Sequence, residues 1–340
     1  MSHRRSRRVL AVALGAAAGL MGLVALPAGP ASAALTACAW QATTFELPAG
    51  ADGADFSGSD SNRYVVGETG TQPWESDGSL YDPQATLWDN GKIVWHATNG
   101  LPHALDVNSS GVMAGDTIIN NKFYGITIAK DGTTKMLPGD PAWVDYDAEL
   151  INNKGDVVGG AIKADLKHVL VLWPANAPGT YRVLPTPSTT ELFLQDLDEQ
   201  GEIIGGTQDA PQGAIWTTSG TYTPLQTPKF ADPRAVRGGH IVGGWDTFST
   251  FGAAEWNAQG TMTRNIPGST AEGFTALGAD GTIAGQIWVG YSQHPSLWRG
   301  GQVVDPLTAV DTDFVVQWIS DDGTRLTGIQ DWVPTQYHCS

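Results

Sequence analysis

The chain is poor in charged residues and contains little cysteine. Asp, Glu, Lys and Arg together make up 16% of its 340 residues, and there are two cysteines. After residue 34 it also lacks any apolar run long enough to cross a membrane and any long stretch with the 3.6-residue period of an amphipathic helix. These absences argue against a helical fold and against a membrane-spanning one. Glycine, proline and tryptophan are abundant instead, with 42, 20 and 13 residues, which is typical of short strands joined by tight turns.

The common catalytic and metal-binding motifs are missing as well. There is no G-x-S-x-G nucleophile elbow, no H-E-x-x-H zinc motif and no phosphate-binding glycine loop, and the histidines are scattered singly. The acidic turns at 196–202 and 321–323 could offer oxygen ligands to calcium. Neither matches the twelve-residue calcium loop, however, and Asp favours turns because of local hydrogen bonding. We therefore predict no catalytic residue, no metal site and no cofactor, with calcium at these turns as the alternative.

The first 33 residues have the pattern of an export signal. Residues 1–8 carry four arginines and no acid, residues 9–26 are apolar or glycine, and Ala31-Ser32-Ala33 forms a small-residue cleavage site. We predict cleavage after Ala33 and a single secreted domain over residues 34–340. An uncut membrane anchor is the alternative, and both Sec and twin-arginine export stay open.

Removal of this signal would make the chain strongly acidic. Four of the 19 basic residues would leave with it while all 35 acidic residues stay, so fifteen bases would face 35 acids, a formal charge of −20. Such a surface repels nucleic acid and anionic membranes, and it suits either solubility outside the cell or a cationic partner. We predict a monomer that binds neither nucleic acid nor membrane after cleavage.

One unit recurs seven times along the chain. Each copy has a turn rich in Asn, Asp and Gly, then a polar residue, two or three small or β-branched residues and a closing glycine. The closing glycines, 38 to 48 residues apart, are Gly67, Gly115, Gly159, Gly205, Gly243, Gly285 and Gly328. That period matches a four-stranded propeller blade, whereas a solenoid needs a shorter one. The sequence therefore predicts an all-β fold, a seven-bladed β-propeller of four-stranded blades.

Tryptophan ends the third predicted strand of most copies. The five residues at this position are Trp88, Trp173, Trp216, Trp256 and Trp298. Rings at a fixed place in each repeat fit packing between blades, where a large ring buries much apolar area; a sugar-binding surface is the alternative. Seven further tryptophans lie off this register and are predicted near loops or faces: Trp74, Trp95, Trp143, Trp245, Trp288, Trp318 and Trp332.

The last blade is predicted to close with the first segment of the processed chain. After Gly328 there is room for a third strand over residues 333–339 and nothing more, while residues 40–48 end in the Leu-Pro pair of other fourth strands. The N-terminal strand should therefore complete the last sheet, which removes exposed strand edges. Export places Cys38 and Cys339 in an oxidising compartment, so we predict a disulfide between them, with a reactive thiol or an intermolecular bridge as the alternative.

The repeats resemble those of the secreted bacterial proteins called the extracellular HAF-repeat family. The resemblance rests on the Trp-ending strand, the Asn-x-x-Gly turn and the Val-Val-Gly strand, and it is clearest at residues 148–159 and 294–298. It covers most of residues 50–330, although the family's Leu-Gly-x-Leu-Gly-Gly segment is missing. The resemblance implies a propeller-like fold and brings no catalytic residues.

Segments just before the first strand of each copy should ring one mouth of the propeller channel. Their charged residues are Asp55, His103, Asp145, Asp147, Glu191, Asp232, Arg234, Glu272 and Asp313. A ring of acids around a narrow channel concentrates cations and can raise a carboxyl pKa. We predict a secreted, non-enzymatic binding or interaction module whose unidentified extracellular ligand, a glycan or a protein, binds there. The alternatives are a glycosidase-like propeller hydrolase that uses these acids, and solvated loop residues with no role.

Overall fold

The computed structural model describes residues 38–72, 80–98, 100–187, 191–208, 213–267, 273–289 and 292–340. The predicted export signal and its cleavage site lie outside these residues. The described residues form 29 strands and no helix, and antiparallel pairing groups the strands into seven sheets. The fold is a seven-bladed β-propeller with four-stranded blades, as predicted. No helix in the described part of the chain is long and apolar enough to cross a membrane.

The first strand of each blade contacts the first strand of at least one neighbouring blade, which places it at the central channel. Blade one consists of β2 (Gly53–Ser59), β3 (Tyr64–Thr71), β4 (Tyr81–Asp89) and β5 (Lys92–His96). Blade two consists of β6 (His103–Val107), β7 (Met113–Ile119), β8 (Lys122–Ile128) and β9 (Thr134–Met136). In blade three the inner strand is split into β10 (Trp143–Tyr146) and β11 (Leu150–Ile151), followed by β12 (Val157–Lys163), β13 (His168–Trp173) and β14 (Arg182–Leu184).

The remaining blades have the same order from the channel outward. Blade four consists of β15 (Leu192–Leu197), β16 (Glu202–Thr207), β17 (Ala214–Thr217) and β18 (Tyr222–Pro224). Blade five consists of β19 (Phe230–Arg237), β20 (His240–Asp246), β21 (Phe251–Asn257) and β22 (Met262–Pro267). Blade six consists of β23 (Phe274–Leu277), β24 (Ile283–Val289), β25 (Ser292–Arg299) and β26 (Gln302–Asp305). Blade seven consists of β27 (Phe314–Ile319), β28 (Arg325–Gln330), β29 (Val333–Cys339) and, outermost, β1 (Trp40–Thr44).

The two ends of the chain close the ring in blade seven. β1 pairs with β29 along its whole length, from Trp40 opposite Cys339 to Thr44 opposite Thr335. Cys38 and Cys339 form a disulfide, with their Cα atoms 5.4 Å apart. Both the shared last blade and the disulfide were predicted from the sequence, and both are confirmed.

The inner strand of each blade is irregular near its middle. In six blades the register to the second strand shifts there by one extra residue, and in blade three the strand breaks between β10 and β11. The closing glycine of the repeat lies against this irregularity. A β-carbon on Gly67 would lie 2.2 Å from the carbonyl oxygen of Asp55, and one on Gly115 would lie 2.0 Å from that of His103. Glycine recurs at this position because the inner strand leaves no space for a side chain.

The turn between the first and second strands explains the repeated Asn and Asp. Asn108 Oδ1 accepts hydrogen bonds from two backbone N–H groups of its own turn, and Gly111 supplies the left-handed conformation, with φ at 75°. The same side chains link the blades. Asn108 Nδ2 donates to the carbonyl of Asn152 in blade three, and Asn152 Nδ2 donates to that of Asp198 in blade four. These residues therefore both shape a turn and hold adjacent blades together.

The five repeat tryptophans are buried, which confirms that they pack between blades. Four of them also donate from Nε1 to a carbonyl of the chain leaving the preceding blade, at 2.7–3.0 Å. These pairs are Trp88 with Glu46, Trp173 with Pro138, Trp216 with Pro185 and Trp256 with Gln226. Each of these junctions thus buries a large ring and gives its indole N–H a hydrogen-bond acceptor.

The off-register tryptophans divide between core and surface. Trp143 and Trp245 are buried, contrary to the prediction that they lie near loops or faces. Trp143 is covered because it stacks with Tyr146 and Tyr181 inside blade three. Trp288 and Trp332 are exposed, as predicted, and Trp74 lies outside the described residues.

Candidate functional site

The two ends of the channel have different chain segments around them. The inner strands begin at one face, which also carries the hairpins between second and third strands; we refer to it as the mouth face. The inner strands end at the Asn/Asp–Gly turns, and we refer to that end as the turn face. The predicted ligand site belongs to the mouth face.

One residue of the innermost segment in each of six blades lies at the same height on the channel wall; in blade three it lies between β10 and β11. It lies opposite the residue that follows the closing glycine, and its chain neighbours are mostly buried between blades. Because successive side chains of a strand point to opposite faces, this residue lies on the open side of the innermost segment, which borders the channel, and it is exposed or half-buried in all six blades. The six residues, which we refer to as the mouth ring, are Asp55, His103, Asp147, Phe193, Asp232 and Val315.

The mouth ring contains four residues that the sequence predicted and two that it did not. Its charged members, three acids and one histidine, all belong to the predicted site. Phe193 and Val315 are exposed apolar side chains at the equivalent position of blades four and seven. The repeat register identifies them, since each lies opposite the residue after a closing glycine. The ring therefore combines negative charge with an apolar sector.

The other predicted residues lie around this ring. Arg234 is the extra residue of its inner strand, and its guanidinium forms an exposed ion pair with Asp232 at 2.5 Å. Glu191 and Asp313 directly precede the inner strands of blades four and seven, and Asp313 is exposed. Glu272 lies outside the described residues.

Asp145 joins two blades rather than lining the channel. Its Oδ1 accepts a hydrogen bond from the backbone N–H of Phe123 in blade two, at 2.8 Å. Beside it, Lys122 Nζ donates to the carbonyl of Trp143, at 2.7 Å. These two contacts tie the start of the third strand of blade two to the inner strand of blade three.

His103 has an acidic partner that the sequence prediction missed. Its Nδ1 lies 2.9 Å from Asp116 Oδ1, on the adjacent strand. The hydrogen bond to Asp116 raises the pKa of His103, burial opposes this, and the negative charges of Asp116 and Glu68 add to the increase. Asp116 and Glu68 each follow a closing glycine, so the repeat register could have identified both. This side of the mouth thus favours a protonated imidazole.

Two carboxyl groups of blade three flank a small open space. A β-carbon on Gly160 would lie 3.2 Å from Asp147 Oδ1 and 3.6 Å from Glu149 Oε1, with no other atom as close as 4 Å apart from its chain neighbours. Asp147 Oδ1 also accepts a hydrogen bond from the backbone N–H of Gly160, at 2.9 Å. Because residue 160 has no side chain, both carboxylates lie next to a space large enough for one small chemical group.

An arginine crosses the channel at the turn face. Arg237, at the end of the inner strand of blade five, donates from Nη1 to Asp196 Oδ2 of blade four at 2.7 Å. Its Nη2 donates to Ser61 Oγ of blade one, at 2.9 Å. Blades one and five are not neighbours in the ring, so the guanidinium spans the channel. A ligand that enters from the mouth face meets this positive group at the far end.

Asp106 lies near this arginine and is half-buried. Burial raises the pKa of Asp106 to about 8, and the charge of Asp196 adds to the increase. The backbone N–H of Ile151, which donates to Asp106 Oδ2 at 2.8 Å, and the charge of Arg237 oppose it. Asp106 is therefore mainly protonated at neutral pH, and it joins blade two to blade three as a neutral acid.

The acidic turns considered for calcium already bind protein donors. Both carboxyl oxygens of Asp198 accept backbone hydrogen bonds, one of them from Gly238 of the next blade. Hydrogen bonds from Ser320 and Thr324 lower the pKa of Asp322 to about 2. Within the described ranges, no group of three or more His, Cys, Asp or Glu side chains is arranged to hold a metal ion. These acids therefore act as turn-forming and blade-joining groups.

Comparison with known proteins identifies the class of fold. No protein-family model and no curated protein matches the chain, so the HAF-repeat resemblance stays a prediction. A streptogramin B lyase structure is 14% identical, covers 91% of this chain and 100% of its own, and has a TM-score of 0.58. A catalytically inactive virginiamycin B lyase from Staphylococcus aureus with quinupristin is 13% identical, covers 89% and 100%, and has a TM-score of 0.55. YCF48 bound to D1 peptide is 14% identical, covers 90% and 97%, and has a TM-score of 0.53. At these identities the likeness establishes a β-propeller and no activity.

Proposed function

We propose that the protein is a secreted, non-enzymatic binding module that holds a positively charged ligand at the mouth of its channel. The observation that carries this proposal is the mouth ring, in which three carboxylates and one histidine share one height on the channel wall. Carboxylates grouped in a cleft with low-dielectric walls strengthen the local field and raise the concentration of cations there. The net charge of the whole chain, −16, acts in the same direction.

Two further observations support an extracellular protein with a protein or peptide partner. The disulfide between Cys38 and Cys339 is of a kind that persists mainly in oxidising compartments. YCF48, a propeller of similar fold, has a structure with a bound peptide. A peptide carries both the cationic groups and the apolar groups that the mouth ring could receive.

Charge neutralisation at the mouth tests the proposal. We would titrate the processed chain, residues 34–340, with oligolysine and with spermidine by isothermal titration calorimetry at low salt. Asp55→Asn combined with Asp232→Asn removes two negative charges of the mouth ring and leaves Arg234 without its ion-pair partner, so we expect affinity for the cationic probes to fall roughly tenfold or more because the mouth becomes less negative. Asp147 is left intact because its carboxylate also binds the backbone of Gly160.

The matched control is an exposed acid at the other end of the propeller. Asp131 lies in the turn between the third and fourth strands of blade two, where it accepts from the backbone N–H of Thr133. Asp131→Asn keeps an oxygen for that hydrogen bond and removes one charge, so we expect nearly unchanged affinity. Equal losses per removed charge in the control and in the mouth variant would mean that bulk charge alone attracts the probes, and the proposed site would be wrong.

A hydrolase is the second candidate, and the carboxyl pair of blade three is the observation that favours it. Asp147 and Glu149 approach the same space beside Gly160, and paired carboxyl groups are the usual machinery of glycoside hydrolysis. The test is turnover of chromogenic glycosides by the processed chain and by Glu149→Gln. Hydrolysis that disappears in this variant would replace the binding proposal with the enzymatic one.

A further inference from the structure

The exposed apolar side chains are concentrated on the mouth face. Eleven of the fifteen large hydrophobic residues exposed in the described residues lie there, at the starts of first or third strands, the ends of second strands or the hairpins between them. The eleven are Tyr81, Ile118, Ile119, Val144, Leu166, Phe193, Phe248, Phe251, Trp288, Val315 and Trp332. The other four, Val94, Met136, Val183 and Val303, lie on outermost strands. A one-sided distribution of this kind is typical of an interaction surface.

Three of these residues adopt a backbone conformation that does not suit them. Leu166, Phe248 and Trp332 occupy hairpins between second and third strands with φ at 63°, 73° and 66°. This left-handed region favours Gly and Asn, and Asn121 occupies it in the corresponding hairpin of blade two. Leu166 is 73% exposed, Phe248 is 76% exposed and Trp332 is 39% exposed. Leu166 and Phe248 therefore bring strain and little burial, a combination that points to contact with another molecule, and Trp332 is partly exposed in the same conformation.

One of these tips already holds a cation from its own chain. The Nζ of Lys229 lies 3.8 Å from the ring centroid of Phe248 and 5.1 Å from that of Phe230, and the two rings are 4.6 Å apart. The ammonium group is thus placed over aromatic faces, where the ring quadrupole attracts it. Lys229 therefore occupies one side of the Phe248 ring, and an apolar group of a partner can contact the rest of this side chain, which is 76% exposed.

A pocket lies beside another tip. It has a volume of about 310 Å³ and is lined by Asp140, Ala142, Trp143, Lys163, Ala164 and Asp165. The hairpin that carries Leu166 starts at its edge, because the N–H of Leu166 bonds to the carbonyl of Lys163. The pocket combines an indole surface with the ammonium group of Lys163 and two carboxylates that already have partners: Asp140 accepts from the Tyr181 hydroxyl, and Asp165 pairs with Lys167 at 2.8 Å. It suits the apolar stem of one long side chain.

We propose that the mouth face binds a polypeptide segment in which lysine or arginine alternates with large apolar residues. This inference rests on the proposed binding function and names its partner. The mouth ring receives the cationic groups, and the pocket and the tips at Leu166, Phe248 and Trp332 receive the apolar ones. Charge complementarity selects this occupant: an anionic lipid surface and a second copy of this acidic chain are both repelled by the same carboxylates.

The experiment selects the partner without assuming its sequence. Short random peptides displayed on phage are selected on the immobilised processed chain, and the enriched peptides are measured by fluorescence anisotropy. We expect enrichment of Lys and Arg together with aromatic or aliphatic residues. Leu166→Asn, Phe248→Asn and Trp332→Asn are combined in one tip variant, in which Asn suits the left-handed backbone and preserves the hairpins. We expect this variant to bind at least roughly tenfold more weakly.

The control variant carries the same chemical change elsewhere. Val94→Asn, Met136→Asn and Val183→Asn remove three exposed apolar side chains from outermost strands, and we expect an affinity within about twofold of the unchanged chain. Thermal unfolding of both variants checks that they remain folded. Weak binding by a tip variant that unfolds like the unchanged chain supports the inference.

Several results would overturn it. Selection that enriches no peptide, or only acidic or uncharged ones, removes the proposed partner. The tip variant could keep the affinity of the unchanged chain while Asp55→Asn with Asp232→Asn weakens binding. That result would support the cation site and refute the apolar contacts. If neither variant weakens binding, both proposals fall. If the unchanged chain binds phosphatidylglycerol vesicles and the tip variant does not, the surface binds lipid instead. If light scattering shows a dimer that the tip variant abolishes, the surface binds a second copy of the chain.

Discussion

Replacing Asp106 by asparagine should change how stability depends on pH. Burial raises the pKa of Asp106 from 3.8 to about 8. Between these two values the folded chain keeps a proton that the unfolded chain has lost. Folding then becomes less favourable as the pH rises through this window, and the loss is complete above pH 8. Asp106→Asn does not titrate and resembles the protonated acid, so it lacks this dependence.

The size of the effect follows from the width of the window. Each pH unit between the two pKa values is worth about 1.4 kcal/mol in the free energy of unfolding. From pH 3.8 to pH 7 this amounts to roughly 4 kcal/mol, an upper limit because Asp106 is only half-buried. Asparagine retains an oxygen that can accept from the N–H of Ile151. We therefore expect the variant to become more stable than the unchanged chain as the pH rises.

Urea unfolding of both chains at pH 5, 6 and 7 measures the difference. We expect the variant's advantage to grow with each step by an amount approaching about 1.4 kcal/mol. Asp131→Asn serves as the control, since it changes an exposed acid in a turn. Unfolding free energies that stay parallel across this range would show that Asp106 titrates normally and that its surroundings are not as dry as the structure implies.

Three further predictions concern the fold. Gly115→Ala should destabilise the chain by more than about 3 kcal/mol, measured by urea unfolding, because its β-carbon would lie 2.0 Å from the carbonyl oxygen of His103; a loss below about 1 kcal/mol would contradict the close approach. Cys38→Ser with Cys339→Ser should cost up to about 5 kcal/mol, because the disulfide closes a loop over a separation of 301 residues; unchanged thermal unfolding would show that strand pairing alone closes the ring. The hydrogen bond to Asp116 raises the pKa of His103 in the folded chain above the value of 6.5 expected for the unfolded chain. The pair therefore stabilises the fold fully below pH 6.5, and this stabilisation is lost as the pH rises through the raised pKa. His103→Gln should therefore lower stability more at pH 5.5 than at pH 8.5, and an equal effect at both would refute the charged pair.

Ring closure could be predicted because several local signals agree. The truncated last repeat, the Leu-Pro ending of residues 40–48 and the two terminal cysteines all point to one shared blade. The structure has the third strand at Val333–Cys339, with the predicted bounds. The N-terminal strand stops at Thr44 instead of reaching residue 48, because Glu46 already bonds to Gly91 of blade one. The chain leaves the sheet at that point to begin the next blade.

The mouth could be predicted only in part, because small irregularities decide where a side chain points. Asp145 and Asp147 have the spacing of two residues on one face of a strand. A register shift in β10 precedes Asp145, whose carboxylate meets Phe123 of blade two, whereas Asp147 lies on the channel wall. The role of Arg237 has no local signal at all. Its partner Ser61 is 176 residues away and comes near only when the ring closes.

Cross-linking a selected peptide to defined positions tests most directly whether the mouth face is the binding surface. Phe193 in the mouth ring and Val183 on an outermost strand are both 46% exposed, so each can carry a photoreactive p-benzoylphenylalanine at equal accessibility. We predict that irradiation attaches the peptide through position 193 and not through position 183. Equal attachment at both positions, or attachment only at 183, would contradict the assignment of the ligand to the mouth of the channel.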